Sequence, residues 1–90
     1  RIALIFIKTR SGRYLRLESI YGFAVEEEKM EIEGKKRLVY EVIAYLPQPL
    51  LPAVLGIYTT EEKAEEKLNQ LIDSILKSKG NTVINLESEI

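Results

Sequence analysis

Apolar and polar positions divide this 90-residue chain into two regimes. Up to Tyr58 they alternate at about every second residue in short runs; from Thr60 to Lys79 the spacing lengthens to three or four. Ile2–Ile7, "IALIFI", is apolar throughout and predicts a strand, and Ser11-Gly12 then signals a reversal. Tyr14 to Val25 reads as an interrupted strand. Leu15, Leu17, Phe23 and Val25 share one parity, while Ile20 breaks it close to Gly22, which predicts a bulge or a bend. Glu33-Gly34-Lys35 separates Met30 from Leu38 and reads as a hairpin loop. Leu38–Leu46 is the clearest strand. Leu38, Tyr40, Val42, Ala44 and Leu46 lie on one face, with Val39, Glu41, Ile43 and Tyr45 on the other. One acid among nine residues predicts a central strand covered on most of both faces. Pro47, Pro49 and Pro52 then forbid both ladder pairing and helix interior, so "PQPLLPA" is a stiff loop. Ala53–Tyr58 is a short strand containing Gly56.

The helical regime follows at once. Ala64, Leu68, Leu71, Ile72, Ile75 and Leu76 form one apolar stripe over about 60–79. Thr60 suits the N-cap, and Thr59 with Glu62 would make the alternative capping box. Gly80 supplies a stop, and Thr82–Leu86 reads as a last short strand. The fold class expected is α+β in a single domain, 1–90: an antiparallel sheet of four or five strands, one long helix and a short C-terminal strand. One helix covers one face of one small sheet. The apolar residues on both faces of Leu38–Leu46 therefore require either a curl into a partial barrel or a second copy of the chain. The expected assembly is a homodimer, with Val39, Ile43 and Tyr45 at the interface.

Composition narrows the chemistry. Cysteine and histidine are both absent, which excludes disulfides and thiolate metal sites and removes the usual general base and commonest metal ligand. No Gly-rich phosphate motif occurs among the five glycines. Glu26 and Glu28 share a strand face and could make a carboxylate pair, but acid–base work needs one of the two desolvated. The expectation is a non-catalytic chain with no cofactor. Its longest apolar run, six residues, falls far short of the ~20 needed to cross a bilayer, so the expected setting is cytoplasmic. Abundant Glu, Lys, Ile and Leu with little Asn and Gln resembles a thermophile's composition.

Net charge is −1, yet the charges are unevenly placed. Arg10, Arg13, Tyr14 and Arg16 combine cations with an aromatic ring, and Lys35-Lys36-Arg37 forms a second basic knot. Phosphates want such cations and unstacked bases want such a ring, so these seven residues are the candidate nucleic-acid contacts. The proline loop offers another surface. Leu50 and Leu51 either stand out as a preorganised apolar knob for a protein partner or fold back to cap the core. The function expected from the residues is a small binding or self-association module, with nucleic-acid binding through the basic loops as the alternative.

Residues 54–68, "VLGIYTTEEKAEEKL", join the last strand before the helix to the helix itself. Here Leu55, Gly56, Tyr58, Thr60, Glu61, Glu62 and Ala64 resemble a strand-to-helix junction found in two settings. One is the AP2-like and integrase-arm DNA-binding domains; the other is a group of small uncharacterised prokaryotic and phage proteins. The resemblance implies a sheet packed on one helix, and in its DNA-binding members a sheet that reads a groove with basic and aromatic side chains. Leu38–Leu46, apolar but for Glu41, departs from that pattern.

Overall fold

The computed structural model describes residues 3–90; Arg1 and Ile2, the start of the first expected strand, lie outside the described residues. The elements in order are β1 (Ile5–Lys8), β2 (Tyr14–Arg16), a 3₁₀ turn (Leu17–Ser19), β3 (Gly22–Ile32), β4 (Lys35–Tyr45), β5 (Ala53–Tyr58), α1 (Glu61–Lys77) and β6 (Thr82–Asn85). The class is α+β. Among the described residues six strands form two three-stranded sheets, β2-β1-β6 and β3-β4-β5, and neither closes into a barrel.

The break at Ile20 and Gly22 is where the chain leaves one sheet for the other. The 3₁₀ turn ends β2, and the Tyr21 amide then bonds the Tyr45 carbonyl at 2.8 Å to open the second sheet. β3 and β4 pair over eleven residues from Gly22↔Tyr45 to Ile32↔Lys35. Their hairpin is closed by Glu33 and Gly34, both at positive φ (52° and 79°), the pattern of a tight type I′ turn. β4 pairs β5 antiparallel, and Leu55 is the extra residue of a bulge opposite Val42 and Ile43. The other sheet is mixed: β1 runs antiparallel to β2 and parallel to β6. A parallel partner needs a long crossover, and α1 with the second sheet supplies it.

One core joins the layers. Ile7, Val42, Ala44, Leu55, Tyr58, Ala64 and Leu71 are buried together, ringed by half-buried residues from both sheets and the helix. The Thr60 hydroxyl accepts from the Lys63 amide at 3.1 Å and is the N-cap, whereas Thr59 is engaged elsewhere. The helix ends at Lys77, earlier than Gly80 suggests. The chain turns at Ser78 because Asn81 and Thr82 must reach β1: the Leu4 amide donates to Asn81 Oδ1 and the Thr82 amide donates to the Leu4 carbonyl. The apolar stripe is also narrower than expected. Ile72 and Leu76, one position past Leu71 and Ile75, are rotated about 100° off it and exposed.

Candidate functional site

The proline loop departs from β4 at Leu46 and is tightened by the Leu50 amide, which donates to the Pro47 carbonyl at 3.0 Å. Leu50 is 60% exposed and Leu51 83%, so neither caps the core. At the same end of the sheet stand Tyr21, 77% exposed, and Tyr45, whose hydroxyl donates to Glu26 Oε2 at 3.0 Å. Two leucines of the loop and two tyrosines beside it thus stand at one end of the β3-β4-β5 sheet.

The opposite holds for Val39 and Ile43. Expected on a face open to a second copy, they are 1% and 2% exposed within the single chain. Neither is available to a partner. The outer edge of β5 is likewise closed within the chain, by segments far away in the sequence. The Arg10 amide bonds the Val54 carbonyl, the Ile57 amide donates to Ser88 Oγ, the Glu89 amide donates to the Ile57 carbonyl, and the Thr59 amide donates to Glu89. Arg10 completes this closure through Nε and Nη2, which donate to the Ile90 carbonyl at 3.1 and 2.9 Å.

The basic loops do not converge. Arg10 is spent on the C-terminal segment, and Arg16 is ion-paired with Glu18. Lys35, Lys36 and Arg37 lie at the hairpin tip, six to eight residues along β4 from the Ile43↔Val54 pair that Arg10 adjoins, or about 20–27 Å. Arg13 is exposed in the turn before β2. Tyr14 and Arg16 do share a face. Register places Tyr14 opposite Lys8 and Arg16 opposite Phe6, and Lys8 Nζ lies 5.6 Å from the Tyr14 ring centroid. Phe6 and Lys8 were not candidates in the sequence, because strand parity alone does not say which face of an all-apolar run looks outward.

The Glu26 and Glu28 carboxylates, both exposed, have a third beside them. Glu26 lies directly opposite Glu41, with Glu28 one pair further along the same face. Burial, then Glu28 and Glu26, raises the Glu41 pKa above its ordinary value, and Arg10 opposes the rise. Glu41 is the more desolvated group, missed because it looked like the polar exception on an apolar strand. No cluster of acids among the described residues has the form of a metal site. No helix in the described residues is long and apolar enough to cross a membrane. No family model matches the chain, and no curated protein or solved structure matches it either.

Proposed function

We propose that this chain is a non-catalytic binding module that docks a protein partner through Leu50 and Leu51. The observation that carries the reading is the exposure of two adjacent leucines on a loop already fixed by three prolines and a backbone hydrogen bond. Apolar side chains in water cost nothing further to expose and gain on burial, and a fixed loop loses little entropy when it docks. The fitting partner presents an apolar cleft, with Tyr21 and Tyr45 placed to contact its rim through ring and hydroxyl.

Capture from lysate tests this when read against a variant. Replacing Leu50 and Leu51 with Ser should abolish a nuclease-resistant capture while moving the melting temperature little, since both side chains are in solvent. Capture unaffected by the change, or a large loss of stability, would sink the reading. A second reading has one observation in its favour: Phe6, Lys8, Tyr14 and Arg16 share the outer face of the β2-β1-β6 sheet. Single-stranded nucleic acid binds such stacking and cationic groups. It requires capture that nuclease removes and that Tyr14→Ala with Lys8→Glu weakens.

A further inference from the structure

Among the described residues three strand edges besides that of β5 have no neighbouring strand. β3 carries Glu26, Glu27, Glu28 and Glu31, so two copies of it repel each other, and β2 has only three residues. β6 is different. Its sequence, Thr82-Val83-Ile84-Asn85, has no charge, and it pairs with β1 on one side only. Backbone groups alternate sides along a strand. The Thr82 amide bonds the Leu4 carbonyl, so Thr82 and Ile84 face β1, and the amides and carbonyls of Val83 and Asn85 point away from it. They point along a groove of about 450 Å³ between β6 and the last turns of α1, walled on the helix side by Asp73, Ser74, Lys77 and Ser78.

We infer that this groove is filled by β6 of a second copy, paired antiparallel about a twofold axis. Centring the pair on Ile84 sets Val83 opposite Asn85 of the second copy, and Asn85 opposite its Val83, with four backbone hydrogen bonds between them. The twofold makes the two helices run antiparallel across the join. The helix wall carries one acid and one base, Asp73 and Lys77, already paired at 3.0 Å within the helix. A wall of mixed charge is complementary to its own antiparallel image, and the small Ser74 and Ser78 leave space for an incoming strand. Val83 is 52% exposed and lies beside Leu4 and Phe6 on an apolar hollow, which the second copy would extend. This self-association uses neither Val39 nor Ile43, and it leaves the Leu50–Leu51 loop free for another partner.

Sedimentation equilibrium from about 1 μM to about 1 mM reads the result. The chain should dimerise in that range. Asn85→Pro removes one outward amide without touching the β1 ladder, and should weaken the dimer tenfold or more. Lys77→Asp makes the wall wholly acidic and should do the same, while the exchanged pair Asp73→Lys/Lys77→Asp restores the dimer. Both helix positions are in solvent, so the second arm stands even if the proline variant fails to fold. A monomer throughout, or a dimer indifferent to the folded variants, overturns the proposal; so does a dimer that the exchanged pair fails to restore.

Discussion

Gly56 shows how one residue's identity follows from a neighbour two positions on. It shares a sheet face with Tyr58, whose ring folds back across it. A Cβ built on Gly56 overlaps the Tyr58 hydroxyl and comes within 2.9 Å of ring atom Cζ. The ring cannot swing clear, because Tyr58 is fully buried and its hydroxyl donates to the Glu87 carbonyl at 2.7 Å. Gly56→Ala should therefore destabilise the fold by about 1–3 kcal/mol, as overpacking does, and chemical denaturation would measure it. A neutral result would mean that the ring has a second resting place. The neighbour that approaches Gly56 so closely is its own strand's tyrosine.

At the scale of elements, the helix is the part most legible in the chain. Its start was fixed by Thr60 and the acids Glu61 and Glu62, which favour the positive end of the helix dipole. Thr60→Ala removes the acceptor for the Lys63 amide and should cost about 1 kcal/mol. For a domain of this size that lowers Tm by about 4–8 °C, measurable by calorimetry. The same change at Thr59 acts on a different contact, since its amide and hydroxyl reach Glu89 instead of the helix. The helix end was less legible. Gly80 has no positive φ here, and the stop comes from long-range pairing of Asn81 and Thr82 with Leu4. A local signal placed the end within a few residues, and a tertiary bond chose the residue.

Across the whole molecule, the C-terminal segment ties the two sheets to each other, and Tyr58 is its buried anchor. Burial, helped by Glu89 and Glu87, pushes the Tyr58 hydroxyl up to about 12 from its ordinary 10.0. The folded chain thus holds this proton more tightly than the unfolded chain. The stability that comes with it is complete below pH 10 and is lost as pH rises from there through about 12. Urea midpoints taken across that window should fall, and Tyr58→Phe should make the fall shallower. At neutral pH the same variant leaves the Glu87 carbonyl without its donor and costs about 1 kcal/mol. An unchanged alkaline slope would place the loss on other groups.

What the sequence by itself determined were the features set by near neighbours. The reversal at Ser11-Gly12, the Glu33-Gly34 hairpin, the stiff proline loop, the capped helix and the α+β class all follow from steric rules and periodicity acting over a few residues. The tertiary structure decided what depends on who lies beside whom. It divided the strands into two sheets at Ile20–Gly22, and turned Leu50 and Leu51 outward while burying Val39 and Ile43. It joined Arg10 to Ile90 across 80 residues of chain. Periodicity says that a strand has two faces, but only long-range packing says which face meets water, because that choice depends on contacts no local pattern contains.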